Sequence, residues 1–363
     1  MQPVLTSILF ALVATNSAGA WFRVACTDPL VQVRVDPVIS PNHTVLPLYG
    51  EISDFSHSRQ EYCFGAWKTA HFERPRFPTQ DFRGNATYDT LRVSSCTSCR
   101  VTEDLSNYWF PKLYFQDPKT KLFEPVGNGG LLVYYQNRGD GDVRNGGAGL
   151  KAFPQGFKMI TGSPVARSKK YTEGQGSQAE LRERAVQWAC LRYGTPYPGY
   201  DGHGFPTTDC EAGFNARLHM PACWDGKNVD SADHMSHVAY LSGLDNGVCP
   251  STHPVPLMKL FYEVTWDVHQ FAARWTEADG WPFVYATGDP TGYSWHGDFQ
   301  NGWATTALQN AIDKCNNPND DTGNGVTEAC QYLTVIPAST ANQCKIPAEV
   351  KETINGKLAK LPG

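Results

Sequence analysis

The stretch "CWDGKNVDSADHMSHVAY", residues 223–240, gathers one cysteine, one tryptophan, three aspartates and two histidines. Asp230, His234 and His237 stand at spacings of four and three. A helical turn over Ser231–His237, capped by Asp230, would place both imidazoles on one face. Convergent imidazoles bind a metal or share proton-transfer work. The general-base glutamate of an HExxH metallopeptidase is absent, so the spacing is weak evidence for zinc. The alternative is a polar turn that hydrogen-bonds neighbouring loops.

A second cluster, "GDPTGYSWHGDFQNGW", spans residues 288–303. It offers His296, the carboxylates Asp289 and Asp298, and the indoles Trp295 and Trp303. Carbohydrate sites use that mixture, because aromatic rings stack on apolar sugar faces while carboxylates and imidazoles hold hydroxyls or move protons. Asp289, beside Pro290 and Gly292, reads as a turn residue, whereas His296 and Asp298 read as site residues. The catalytic expectation therefore falls on Asp230, His234, His237, His296 and Asp298. The substrate-binding expectation falls on Arg217, Trp224, Trp295 and Trp303. Arg34 and Arg217 can clamp a carboxylate or neutralise a nearby aspartate.

Other chemistries find little footing. There is no Gly-x-Ser-x-Gly elbow, no GxGxxG after a strand and no GxxxxGK[ST], so a serine nucleophile and nucleotide cofactors are unsupported. The run "NNPNDDTGNG", 316–325, is oxygen-rich but lacks EF-hand spacing and reads as a solvated loop. With 31 basic and 36 acidic residues and no basic block, nucleic acid is not an expected partner.

The elements that must position these residues are mostly strands. The chain holds 33 Gly and 25 Pro with 18% charged residues, a turn-rich composition with few long amphipathic runs. Runs of β-branched and aromatic residues predict strands at 31–35, 108–115, 131–135, 157–160, 257–268 and 283–286. In "LFYEVTWDV", Leu260, Tyr262, Val264, Trp266 and Val268 alternate with Phe261, Glu263, Thr265 and Asp267, the period of a half-buried antiparallel strand. Helices are expected at 179–191 and 305–315, the first equally readable as a strand over "AVQWACL". The fold class is mainly β: a single elaborated antiparallel, jelly-roll-like β-sandwich with long disulfide-tied loops and few short helices.

Residues 1–20, an apolar run ending in Ala18-Gly19-Ala20, read as a secretory signal, which predicts a secreted, extracellular chain beginning near Trp21. A mature Trp21 disfavours a copper site built on an N-terminal histidine. No later stretch has the roughly 18–20 apolar residues of a membrane helix, so no membrane anchor is expected. All eleven cysteines follow the predicted cleavage point and read as disulfides with one left over. A local bridge between Cys96 and Cys99 is expected, and Cys223–Cys249 is a further pairing. Asn42-His43-Thr44 and Asn85-Ala86-Thr87 are glycosylation acceptors.

Read in order, "RVDPVISP", "LRVSSCTSC", "EDLSNYWFPKLYF", "VGNGGLLVYYQNRG", "KAFPQGFKMITG", "CWDGKNVDSADHMSHVAY", "CPSTHPVPLMKLFYEVTWDV" and "GDPTGYSWHGDFQNGW" closely resemble a secreted fungal family of unknown function often fused to WSC carbohydrate-binding domains. The resemblance runs from about residue 30 to about residue 315. It implies an extracellular, cell-wall-associated setting, with 21–345 as one family domain and 346–363 as a C-terminal tail. The family's Gly-x-Ile-Ser-x-His-x-His element has its nearest equivalent at residues 50–57, where Phe55 replaces the first histidine and His57 fills the second.

Three functions remain in view. In the first, an aromatic cleft holds a polysaccharide or cell-wall glycan and cleaves it by His/Asp acid/base chemistry. As a hydrolase, Asp230 or Asp298 protonates the leaving oxygen while a second carboxylate activates water. As a lyase, His234 or His237 abstracts the proton beside a uronate, with Arg217 neutralising its carboxylate. The second is a non-catalytic glycan-binding or wall-structural module, motivated by Phe55. The third is an extracellular metal-binding protein built on His57, His234, His237 and His296; otherwise no cofactor is expected.

Overall fold

A computed structural model describes residues 21–34, 37–38, 49–53, 86–194, 200–345 and 352–362. Its frame is two stacked antiparallel sheets. One has six strands in the order Trp21–Cys26, Asn128–Gln136, Lys259–Trp266, Gly213–His219, Val186–Leu191 and Tyr200–Gly202. The other has five, ordered Val31–Arg34, Tyr49–Ser53, Asn107–Pro111, His296–Gln300 and Lys158–Gly162. The mainly β, antiparallel expectation holds.

The predicted alternation is realised in the Lys259–Trp266 strand. Leu260, Tyr262, Val264 and Trp266 are buried, while Phe261, Glu263 and Thr265 are only partly so. The buried set meets the five-stranded sheet across the interior. Tyr262 lies 5.8 Å from the Tyr108 ring and Trp266 6.0 Å from Phe110. Gly297 permits that close approach, since a Cβ there would sit 2.8 Å from a Leu218 methyl.

Where the expected strand 108–115 was continuous, the structure divides it. Asn107–Pro111 belongs to the five-stranded sheet, and Leu113–Gln116 joins a three-stranded sheet with Phe283–Tyr285 and Phe123–Pro125. The change of sheet falls beside Pro111, which has no N–H to continue a ladder. The segment at 179–191 resolves into both of its readings: a helix at Gln178–Arg184, capped by Ser177, runs into the strand Val186–Leu191. The helix Thr305–Lys314 forms as predicted and buries Ala307, Leu308, Ala311 and Ile312 as one stripe.

Five disulfides tie the loops: Cys26–Cys99, Cys96–Cys344, Cys190–Cys210, Cys223–Cys249 and Cys315–Cys330. Cys223–Cys249 matches expectation. The local Cys96–Cys99 bridge does not form, because the two thiols serve different partners far away in sequence. The eleventh cysteine, Cys63, lies outside the described residues, as do the predicted signal, both expected glycosylation acceptors Asn42 and Asn85, Phe55 and His57. In the expected C-terminal tail, Leu358 exchanges backbone hydrogen bonds with Phe123, so this segment docks on a sheet edge. Among the described residues no helix is long and apolar enough to cross a membrane.

Candidate functional site

The alternation within "SWHGDFQ" sorts the second cluster onto two faces. Trp295, Gly297 and Phe299 point toward the core, while His296, Asp298 and Gln300 share the outer face of the five-stranded sheet. The neighbouring strand adds to that face, with Trp109 opposite Asp298 and Asn107 opposite Gln300. On the other flank, Ile160 stands opposite Asp298 and Lys158 opposite Gln300. Directly opposed side chains on one face have Cβ atoms about 4.5–5.5 Å apart. The result is a compact polar row.

This row is buried even though it faces away from the core. His296, Asp298 and Trp109 are 0% exposed, and Asn107 and Gln300 are 1% exposed. The His296 and Trp109 rings lie 5.0 Å apart. His296 Nδ1 donates to the Ser294 carbonyl at 2.7 Å. Asp298 Oδ2 accepts the Val38 N–H at 2.8 Å. Asn107 Nδ2 donates to Gln300 Oε1 at 2.9 Å. Among the described residues, Asn107 Oδ1, Gln300 Nε2 and Trp109 Nε1 are buried without a hydrogen-bond partner. Each such group costs about 1–3 kcal/mol, so three on one face ask for a reason.

Two supports hold the row in place. Gly162, with φ +85°, stands opposite His296, and a Cβ there would fall 2.3 Å from the Trp295 carbonyl oxygen. Only glycine lets the edge strand pass so close. Behind the row runs a buried network. The Tyr108 hydroxyl donates to Asp104, Tyr108 and Tyr135 share a 2.5 Å hydrogen bond, and Trp303 Nε1 donates to Tyr135 at 2.7 Å. Burial pushes the Asp104 carboxyl up to about 6, against hydrogen bonds from Ser106 and Tyr108 that lower it.

The first cluster takes a different form from the expected helical turn. Residues 231–237 make successive turns, with His234 in the left-handed region at φ +55°. Asp230 Oδ1 receives His234 Nδ1 at 2.7 Å. His237 is buried, and both its nitrogens are engaged, with Ser231 Oγ at 2.9 Å and the Lys158 carbonyl at 2.7 Å. Burial holds its pKa below the usual histidine range. Two imidazoles on one open face are therefore not formed: His237 is a pinned ring, and His234 is the half-exposed one.

The loop nevertheless lies against the same sheet. Lys158 N–H donates to the Val229 carbonyl at 3.0 Å and Ile160 N–H to the His234 carbonyl at 3.2 Å. Because Ile160 pairs with Asp298, the His234 backbone sits two strand spacings, roughly 10 Å, from that of Asp298. The structure thus brings Asp230 and His234 to the margin of the row carrying His296 and Asp298.

It does not bring the expected binding residues there. Arg217 alternates with buried Ala216 and Leu218 on the six-stranded sheet, where it meets Glu263 and Asp201, each at 3.3 Å. Trp295 and Trp303 are 1% exposed and pack in the core against Tyr285 and Tyr135. Trp224 is half-buried, its indole N–H held by the Asn228 carbonyl at 2.6 Å. Trp109, Asn107 and Gln300 stand on the face instead, and their alternation with Tyr108, Phe110 and Phe299 was the signal that could have found them.

A second polar cluster was also missed. Lys259 is fully buried, its Nζ within 3.0 Å of Gln136 Oε1 and His219 Nδ1 and 2.8 Å from Asp245 Oδ1. Burial lowers the Lys259 pKa to about 8, while Asp245, against desolvation by burial, is held well below the carboxylate range by the Lys259 and Arg138 charges. The turn carrying Asp245 walls a shallow depression of about 490 Å³ with Gly139, Asn145 and Gly247. All three Lys259 protons have partners, so this cluster reads as a satisfied ion-pair knot. Among the described residues, no group of three or more His, Cys, Asp and Glu side chains is placed to hold a metal.

Compared with known proteins, residues 76–303 match a family model described as "Domain of unknown function (DUF1996)". No curated protein and no solved structure matches the chain. The matched span holds every residue of the polar row and of the 223–240 loop. It leaves out the 50–57 element.

Proposed function

The chain belongs to the DUF1996 family, and from that premise we propose that it is a secreted, cell-wall-directed carbohydrate-active protein whose glycan site is the outer face of the five-stranded sheet. Five disulfides fit an extracellular, oxidising setting. The observation that carries the reading is the polar row itself, in which buried donors and an acceptor are left unmet on a sheet face outside the core. Sugars present hydroxyls that both donate and accept, and would satisfy such a face on condition that it opens, since its side chains are 0–1% exposed in the fold.

In this reading His296 is the imidazole of the site, and Asp298, on the same strand and face, is the carboxylate beside it. Asp230 and His234 approach from the adjoining loop. That loop is bonded to the Lys158–Gly162 strand at Lys158 and Ile160, beside Asp298. Hydrolysis is favoured over β-elimination because Arg217, the expected uronate clamp, is committed to Glu263 and Asp201 on the other sheet.

The test is digestion of neutral glucans, mannan, chitin and polygalacturonate, with product masses read alongside retention on each polymer. Saturated oligosaccharides support the hydrolase. Unsaturated ends would make it a lyase, and retention without products a binding module. Neither products nor retention on any polymer would overturn the carbohydrate reading.

A further inference from the structure

The outer face of the six-stranded sheet is a surface of another kind. Tyr135, Tyr262 and Leu218 turn inward and are buried, so their strand neighbours Tyr134, Phe261 and His219 turn outward, where each is partly exposed. Register sets these three side by side: Tyr134 stands opposite Phe261, and Phe261 opposite His219. Trp21, also partly exposed, extends the row onto the edge strand. The ring centroids lie 5.4 Å apart from Trp21 to Tyr134, 5.7 Å from Tyr134 to Phe261 and 4.5 Å from Phe261 to His219. Crossing four strands, the row is about 14 Å long, at about 4.8 Å per strand. Gly325 seats its end: a Cβ there would fall 2.1 Å from the Trp21 ring, and the Gly325 N–H donates to the Trp21 carbonyl at 3.0 Å.

What flanks the row narrows its occupant. On one side Arg217 pairs with Glu263 and Asp201, each at 3.3 Å, and on the other Lys259 pairs with Asp245 at 2.8 Å. Those cations are matched within the protein, and Arg23 lies over the Trp21 ring at 5.8 Å, so an acidic polymer gains little charge attraction here. The carboxylates keep lone pairs to spare and reach water, with the Asp201 side chain 50% and the Asp245 side chain 37% exposed. A partner protein would ask for an unbroken apolar patch, whereas these rings are bordered on both sides by charged groups. Aromatic rings beside open acceptors match the C–H faces and hydroxyls of an uncharged sugar chain.

We propose that this row is a second glycan-binding surface, which stacks the sugar rings of a neutral polysaccharide on Trp21, Tyr134 and Phe261 while Glu263, Asp201 and Asp245 accept from its hydroxyls. It goes beyond the reading of the five-stranded sheet, because it holds polymer on an open face and takes no part in cleavage.

The experiment is affinity electrophoresis of the full chain through gels holding a soluble β-glucan, mannan or polygalacturonate, with melting temperatures and digests of short oligosaccharides measured in parallel. The variants are Tyr134→Thr with Phe261→Thr, Tyr134→Thr alone, and Phe261→Tyr. Threonine suits a strand but carries no ring, and tyrosine keeps one. The wild type and Phe261→Tyr should be retarded by a neutral polymer. The double variant should lose that affinity about tenfold or more, and its digests should match those of the wild type. If the double variant does not fold, Tyr134→Thr alone should show a loss of about threefold.

Three results would overturn the proposal: no retardation of the wild type by a neutral polymer, retardation by polygalacturonate alone, or neutral binding that survives the threonine substitutions. A wild-type dimer that the double variant abolishes, with no polymer retarding either, would give the face to a second copy of the chain instead. Retention that depends on Tyr134 and Phe261 without any digestion product would support this surface and sink the hydrolase reading of the other sheet.

Discussion

Asp104→Asn tests the network that backs the polar row. Asp104 is fully buried among Ser106, Tyr108 and the Tyr135–Trp303 pair. Its carboxyl rises from 3.8 in the open chain to about 6 in the fold. At about 1.4 kcal/mol per tenfold change in proton affinity, this gap amounts to about 3 kcal/mol. The folded chain holds the proton more tightly, so the contribution is complete below pH 3.8 and is lost as pH rises through about 6. An asparagine is neutral throughout. It keeps an oxygen for the Ser106 N–H and presents an amide to the Tyr108 hydroxyl. Whatever fixed cost the exchange carries, the stability of the variant relative to wild type should climb by about 2 kcal/mol between pH 4 and pH 7, the rest of the change falling below pH 4. Denaturant unfolding of the disulfide-intact protein at both pH values measures it. Parallel pH profiles for the two proteins would refute the argument.

Three further outcomes follow from the same geometry. Gly162→Ala puts a Cβ 2.3 Å from the Trp295 carbonyl at φ +85°, and should cost at least about 2 kcal/mol while weakening glycan retention through the displaced His296. Non-reducing peptide mapping should recover Cys26–Cys99 and Cys96–Cys344, and removing the second bridge should cost about 2–5 kcal/mol; a Cys96–Cys99 peptide would contradict the fold. His237 and His219 are both held by burial below the usual histidine range, so the fold keeps them neutral while the open chain charges near pH 6.5. Stability in the Asp104→Asn background should therefore fall as pH drops below about 6.5, and His237→Gln should flatten that decline; an unchanged acid limb would count against the buried ring.

The strands were legible because burial writes a period of two into the chain, clearest in Leu260, Tyr262, Val264 and Trp266. The same period in "SWHGDFQ" carried more than was taken from it. It places Trp295 on the opposite face from His296 and Asp298, so the three could not line one cleft wall. Spacings of four and three suggested a helical turn at 230–237, but side-chain hydrogen bonds from Asp230, Ser231 and Asp233 hold it in turns instead. Disulfide partners such as Cys96 and Cys344 lie 248 residues apart, a distance no local pattern encodes. The partners of Lys259, namely Gln136, His219 and Asp245, come from three separate segments that no local pattern joins. Asn107 and Gln300 became neighbours only once strand register was known.

The central claim is that sugar meets the face carrying Trp109. Indole N–H resonances of the ten tryptophans, with Trp109 assigned by its loss in Trp109→Phe, can be followed as a neutral oligosaccharide is titrated. The Trp109 signal should move in proportion to binding while those of Trp295 and Trp303, packed in the core, stay in place. Saturable binding that leaves Trp109 unmoved would contradict the account.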